Sequence, residues 1–489
     1  MRSAADDGQD RLRAGPQLIS YPDSLGGGLG QLAGLLEGPL AGCFSGVHVL
    51  PPFPSSGDRG FAPIDPGRID PAFGDWPDLE RIAAGHDLVL DLIVNHVSRR
   101  SPAFADFEAH GRRSRFADLF LTLDKVWPGG TPDPDDAERI ARRRASPFST
   151  YIVRDTGRPE RVWTTFGADD PSEQVDLDIQ SPLARRLLAD QLAAVAAHGV
   201  RMVRLDAIGY VVKRAGTSCF MVQPELDEVL DWLRSVAAPL GLHLLTEVHG
   251  DVATQRALAG GVALAYDFAF PGVVLGAVLS AQTDALIGHL RASPRGMVTT
   301  LDSHDGIPIQ PDLDGALSTG AARRLTEACL RSGGNLSRVL VPASLPEPAF
   351  DVHQANATIH SILGRDDELH LLARAIQLFA PGMPQVYYVG LLAGDNDPDA
   401  VRQTGDGRAV NRHDFTASEL ATALERPVVA RTLELLRLRR AHPAFTGDVE
   451  IGGGGRTIQL SWRHGAARCT LRADLARRRW TVDATPVSG

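Results

Sequence analysis

The sequence predicts an α/β fold: a (β/α)8 TIM barrel with two inserted lobes and a small C-terminal β domain. Three observations predict it. Eight short apolar runs recur with helix-like segments between them, the rhythm of parallel βα units. Asp, Glu or His stands where several of these runs end, and a barrel gathers such ends into one pocket. From about residue 445 the rhythm changes to short alternating runs such as Thr457 to Trp462, which reads as a separate β cap.

The first strand is read at Gln17 to Tyr21, followed by a turn at Gly26 to Gly28 and an apolar helix from Leu29 to Leu36. Gly46 to Leu50 is the second strand, Trp76 to Ala84 a helix, and Asp87 to Val94 the third strand, ending on Asn95 and His96. Residues 97–175 are rich in charge, Pro and aromatics without a clear period, and read as an insertion. Ser181-Pro182 then opens a helix, Ser as N-cap and Pro at the first helical position. Val200 to Asp206 is the fourth strand, and a helix from Pro224 to Ala238 leads to the fifth, Leu242 to Val248. Val262 to Phe268 and Met297 to Asp305 are the sixth and seventh. A second break, 307–365, holds one helix near Ala321 to Arg331. A helix from Asp367 to Phe379 precedes the eighth strand, Gln385 to Val389, and Pro427 to Ala441 is a last amphipathic helix. The expected division is barrel 1–96, inserted lobe B 97–175, barrel 176–306, inserted lobe B′ 307–365, barrel 366–444 and β domain 445–489.

Composition narrows the function classes. The 489 residues carry a formal net charge of -10, which disfavours nucleic acid and anionic membrane as partners. There is no run of about 20 apolar residues and the N-terminus is polar, so neither a transmembrane helix nor a secretion signal is expected. Cys43, Cys219, Cys329 and Cys469 are scattered, with no metal-ligand spacing and no sign of a disulfide framework. A reduced, cytoplasmic protein is expected.

Arg204 and Asp206 stand two apart at the end of the fourth strand, and so share a face. Such a pair is either a structural ion pair or part of a site. His96, Glu247 and His304-Asp305 stand at the ends of other strands. Three carboxylates in one pocket push their pKa values apart, which is how one site holds an acid and a base together. Paired carboxylates beside an Arg suit glycosidic chemistry: one attacks the anomeric carbon and a protonated one serves the leaving oxygen. Ordinary polar loop residues on a barrel are the alternative.

These residues belong to stretches that resemble the four motifs of the α-amylase superfamily, glycoside hydrolase family 13. They are Asp91 to His96, Val203 to Asp206, Leu245 to His249 and Leu301 to Asp305. More narrowly, Arg204 to Tyr210, Ala215 to Met221, Thr300 to Gly306, Pro381 to Gly390 and Asn411-Arg412-His413 are similar to the sucrose phosphorylase subfamily. The resemblance covers about residues 17–465. It implies a retaining transfer of glucose to inorganic phosphate, with Asp206 as nucleophile, Glu247 as general acid/base and Asp305 as transition-state stabiliser. It implies that Arg204 orients Asp206, that His96 and His304 bind the glucosyl ring, and that Asp58 and Arg412 clasp its far hydroxyls. Phe61 and Phe166 match apolar platforms, and Gln174 matches a glutamine near the acceptor. No cofactor and no metal are implied. The Asn95 position helps bind calcium in many amylases, but this subfamily is not expected to need it.

Two departures bear on the leaving group. Sucrose phosphorylases read Asp-Leu-Tyr-Gln where this chain has Asp351-Val352-His353-Gln354, so His353 replaces a tyrosine. The facing loop carries Arg142, Arg143 and Arg144. Relatives acting on sucrose 6′-phosphate resemble this pattern, and Arg forks bind phosphate bidentately. Three arginines lining a solvated loop are the alternative. Ala62 stands where the sucrose enzymes carry an acidic residue. Glucosylglycerate or glucosylglycerol as substrate, a hydrolase or transglucosidase with the same intermediate, and a non-catalytic sugar-binding barrel stay open. A small sugar and phosphate are the expected partners, and a homodimer is left open.

Overall fold

The computed structural model describes residues 11–261, 263–309, 315–338 and 352–485. Eight parallel strands close into a barrel: β1 (Gln17–Ser20), β2 (Gly46–Val49), β3 (Asp87–Ile93), β4 (Val200–Asp206), β5 (His243–Thr246), β6 (Leu264–Asp267), β7 (Met297–Thr299) and β8 (Met383–Tyr387). Each pairs with its neighbour in chain order, and β8 closes on β1 through Gln17 and Gln385. β3 is buried along all seven residues. A parallel strand covered on both faces therefore reads as a continuous apolar run rather than an alternation.

Several elements differ from their sequence reading at the ends. β7 stops at Thr299, six residues short of the expected Asp305, because the chain leaves the ladder to carry His304 and Asp305 over the pocket. β5 and β6 are shortened in the same way. The helix after the B lobe runs Pro182–Ala197, and the Ser181 hydroxyl accepts from the Leu183 N–H.

Two excursions leave the barrel. Between β3 and β4, strand His96–Ser98 pairs antiparallel with Gln174–Asp176, and Phe148–Ile152 with Pro159–Trp163. Phe104 packs edge to face with Phe120 and Tyr151 beneath them, and Phe107 packs at a tilt against Phe104 and Phe120; such ring pairs add about 0.5–1.5 kcal/mol each beyond area burial. After β7, Ile307–Pro308 pairs with the inner strand Val352–Asn356, which Asn335–Arg338 flanks. Gly306 makes this approach feasible. Its φ is +108°, and a Cβ there would lie 2.8 Å from Asn356 Oδ1 and 2.9 Å from Ala355 O. The residue after Asp305 is thus pressed against the strand that carries His353 and Gln354.

The tail folds into an antiparallel sheet of β9 (Asp448–Gly454), β10 (Thr457–His464), β11 (Ala467–Asp474) and β12 (Arg479–Ala484). Trp462 Nε1 donates to Phe379 O at 2.7 Å, which ties this sheet to the helix before β8. Among the described residues no helix is long and apolar enough to cross a membrane.

Candidate active site

β4 delivers Arg204 and Asp206 to the top of the barrel. Arg204 Nη1 donates to Asp206 Oδ1 at 2.8 Å and to Asp91 Oδ1 on β3 at 2.5 Å. The chain then turns through Ala207, at φ 54°, and the Ala207 N–H donates to Glu247 Oε2 at 3.0 Å. His249 Nε2 lies 2.7 Å from Glu247 Oε1, and Arg204 Nη2 3.9 Å from the same oxygen. One ligand atom from each of Glu247, His249 and Asp305 fits within 4.8 Å of the others. Asp206, Glu247 and Asp305 thus converge from the ends of β4, β5 and β7 on one buried spot.

The carboxyls are driven in different directions. Burial pushes Asp206 well above the usual range; Arg204 opposes this, and the negative charge of Glu247 adds to it. Burial also pushes Glu247 up, but the His249 imidazole, its hydrogen bond and Arg204 outweigh that and hold Glu247 at about 2. Asp305 is lowered against its burial by His304, Arg408 and Arg412. Burial lowers His304 to about 3 and also lowers His96, so both rings are neutral.

Around this centre, Phe61 stacks on His304 with centroids 5.0 Å apart and planes 3° from parallel. Phe166 packs against His96 and Tyr210 at 5.3 and 5.2 Å. His96 Nε2 meets Phe61 O at 2.8 Å. Arg412 donates through Nε to His304 O at 2.7 Å, and its Nη1 lies 3.8 Å from Asp58 Oδ1. Gln174 is buried on the strand that pairs with Ser98, and Ala62 is buried beside it in sequence to Phe61.

The acceptor residues separate into two groups. Arg143 Nη1 is 3.0 Å from His353 Nε2, and the His353 ring lies 5.1 Å from the His249 ring. A chain of contacts therefore runs from Glu247 through His249 and His353 to the rim. Gln354 is buried beside His353. Arg144 turns away: it donates to Ser149 Oγ, Thr164 Oγ1 and Asp169 O inside the B lobe. Arg142 has a buried Nε without a hydrogen-bond partner. Asp351 lies outside the described residues.

Three residues without a sequence-assigned role stand out. Arg408 Nη2 donates to Asp58 Oδ1 at 2.6 Å and Nη1 to Asp305 Oδ1 at 3.3 Å. It lies in a short 3-10 turn, Gly407–Asn411, that Arg412 caps, so both guanidiniums reach Asp58 and Asp305 from one segment. His249 lies inside a motif stretch, two positions after Glu247. Lys213 places its ammonium among Asn95 Oδ1, Asp176 Oδ2 and Tyr210 O. The oxygens that surround the Asn95 position thus already hold a cation of the protein's own, and the set does not fit a calcium ion.

No family model matches the chain. It is 48% identical to sucrose 6(F)-phosphate phosphorylase of Thermoanaerobacterium thermosaccharolyticum, over 96% of both chains. It is 40% identical to glucosylglycerol phosphorylase of Marinobacter adhaerens over 95% of both, and 39% identical to sucrose phosphorylase of Streptococcus mutans over 89% of both. The crystal structure of sucrose 6F-phosphate phosphorylase from Thermoanaerobacter thermosaccharolyticum superposes with a TM-score of 0.95, at 47% identity and 98% coverage of both chains. A closed barrel, three converging carboxylates and such identity along nearly the whole length lead to one conclusion: the chain belongs to the sucrose phosphorylase family of (β/α)8-barrel glycosyltransferases.

Proposed function

We propose that this enzyme cleaves sucrose 6′-phosphate with inorganic phosphate, giving α-glucose 1-phosphate and fructose 6-phosphate, and accepts sucrose less well. The observation that carries the reading is the Arg143–His353 contact of 3.0 Å at the rim beyond Glu247. A phosphorylated leaving group brings about two negative charges, and a guanidinium beside an imidazole provides donors for them. Burial and the positive charge of Arg143 lower His353 well below its ordinary value. A phosphate dianion reverses that balance and favours the protonated ring.

The reaction runs in two displacements. The Asp206 carboxylate attacks the anomeric carbon as Glu247 gives its proton to the fructosyl oxygen, and a β-glucosyl ester forms. A phosphate oxygen then attacks the same carbon from the vacated side, the ester bond breaks, and Glu247 takes up the proton that the phosphate gives off. The product keeps the α configuration. Within the pair, burial favours the protonated form of Asp206, and His249 favours the Glu247 anion. A leaving oxygen that takes the place of His249 on Glu247 sends the proton to Glu247. Asp206 then ionises against the fixed charge of Arg204. Asp58, Arg408 and Arg412 face the hydroxyls at the far end of the glucosyl ring, and Phe61 and Phe166 cover its apolar face.

Glucose 1-phosphate release in phosphate buffer tests the reading, with sucrose and sucrose 6′-phosphate compared at equal low concentration. A higher rate with the phosphorylated sugar is expected. A higher rate with sucrose overturns the anion clamp, and release from neither moves the assignment to glucosylglycerate or glucosylglycerol.

A further inference from the structure

Beneath Arg204 the barrel interior carries a line of polar side chains on five different strands. Asp91 gives Oδ1 to Arg204 at 2.5 Å and Oδ2 to His48 Nε2 at 2.9 Å. The other ring nitrogen, His48 Nδ1, lies 3.5 Å from Gln385 Nε2. That amide also donates to Gln17 Oε1 at 3.2 Å, while Gln385 Oε1 accepts from the Tyr266 hydroxyl at 2.8 Å. His48 and Asp91 have no side-chain exposure.

The chemistry of these contacts fixes proton positions. The Asp91 carboxylate can only accept, so His48 Nε2 carries a proton toward it, and the Gln385 amide lies at the other ring nitrogen. Nε2–H then donates to Asp91 and draws negative charge toward Oδ2. The remaining oxygen, Oδ1, competes with Asp206 for the same Arg204 nitrogen. Whatever weakens Oδ1 as an acceptor strengthens the hold of Arg204 on Asp206.

We propose that His48 is a positioning residue for the glucosyl-transfer reaction: through Asp91 it sets how firmly Arg204 grips the Asp206 carboxylate. The proposal rests on Asp206 being the nucleophile. His48 makes no contact with the reacting groups and works only along the Asp91–Arg204 line. The ionisable groups around it are Asp91, Arg204 and Tyr266; Gln17 and Gln385 are neutral.

The test uses the full chain and α-glucosyl fluoride as donor, since fluoride leaves without a proton from Glu247. The acidic limb of kcat/KM then reports the ionisation of the nucleophile. His48→Leu removes the donor to Asp91, so the limb is expected to move up by about half to one pH unit. kcat falls about tenfold while KM changes little. His48→Gln keeps an N–H for Asp91 and stays near the wild-type limb. An unmoved limb in His48→Leu, or an equal displacement in both variants, overturns the proposal. Should His48→Leu fail to fold, His48→Met decides: it too offers Asp91 no donor, so the limb is expected to move in the same direction, and an unmoved limb overturns the proposal. Acid quenching without phosphate, followed by peptide mapping of the glucosyl ester, separates the two assumptions. A label on a carboxylate other than Asp206 removes the nucleophile assignment and the proposal together. A label on Asp206 with an unmoved limb removes the proposal alone.

Discussion

Lys213 places its ammonium 2.9 Å from the Asp176 carboxylate, with both side chains excluded from solvent. Asn95 Oδ1 accepts from the same nitrogen at 2.8 Å, and Asp176 is further fixed by the Thr165 N–H at 2.9 Å. The ammonium thereby joins the end of β3, the B lobe and the loop after β4. Removing one partner of a buried pair leaves a charge without compensation, at about 3–5 kcal/mol. Lys213→Met is expected to lower the unfolding free energy by about that amount, read from urea denaturation. Chelator is expected to change neither the stability nor the turnover of the wild type, since the cation here is covalently part of the chain. Recovery of Lys213→Met stability by calcium would assign the oxygens a latent metal preference and contradict the poor fit argued above.

Arg408 spans Asp58 and Asp305, residues 350 and 103 positions away in the chain. It hydrogen-bonds both carboxylates, and under the proposed function it holds them toward the ring hydroxyls of the glucosyl group. Arg408→Gln is expected to lower kcat/KM for the glucosyl donor about 10- to 100-fold, the worth of a charge-assisted hydrogen bond or two. The loss falls on every donor alike, because the glucosyl half is common to them. A change in preference between sucrose and its phosphate would place Arg408 at the leaving-group end instead.

The barrel and its three carboxylates were legible because parallel strands buried on both faces are apolar runs, and their ends carry the chemistry. β7 was overextended because Leu301 to Asp305 continues the apolar and polar pattern after the ladder has ended. Arg408 and Lys213 were missed for a different reason: both sit in irregular segments, and their partners are brought near by the closure of the barrel rather than by local spacing. The Arg142–Arg144 run shows the same limit. Three identical residues in a loop carry no record of which way each points, and only packing sends Arg144 into the lobe and Arg143 toward His353.

That divergence gives a paired test of the leaving-group site. Arg143→Ala is expected to reduce the rate ratio of sucrose 6′-phosphate to sucrose about tenfold or more, as one charge-assisted phosphate contact is lost. His353→Tyr is expected to move the ratio in the same direction. Arg144→Ala leaves the ratio where it is and lowers the melting temperature, because Ser149 and Thr164 lose their shared donor. The opposite pattern, with the ratio following Arg144, would transfer the clamp to that residue.

In the proposed mechanism Glu247 gives a proton to the leaving oxygen in the first displacement and takes one from phosphate in the second. Glu247→Gln is expected to reduce turnover of sucrose or its phosphate about 100- to 10,000-fold, the range of general acid catalysis. The same variant should form the glucosyl ester from α-glucosyl fluoride at a rate much closer to wild type. Equal losses with both donors would mean that Glu247 acts on the nucleophile or the ring, not on the leaving group.

Buried neutral histidines set the acid limit of the fold. Burial lowers His304 to about 3, and it lowers His96, His353 and His370 as well. Each folded-state value lies below the unfolded one of about 6.5. Between the two values the unfolded chain binds more protons, so stability rises with pH there and is lost as pH falls below about 6.5. Each such ring contributes a slope of about 1.4 kcal/mol per pH unit until its folded-state value is reached. His370 suits the test because it lies fully buried on the helix before β8, outside the catalytic cluster. His370→Leu is expected to flatten the dependence of unfolding free energy on pH between about 5 and 6.5 by one proton, as read from urea titrations at several pH values. An unchanged slope would mean that His370 is charged in the native state, with a counter-charge supplied by Asp302 through Arg374 or by the Asp395 and Asp367 carboxylates around His360.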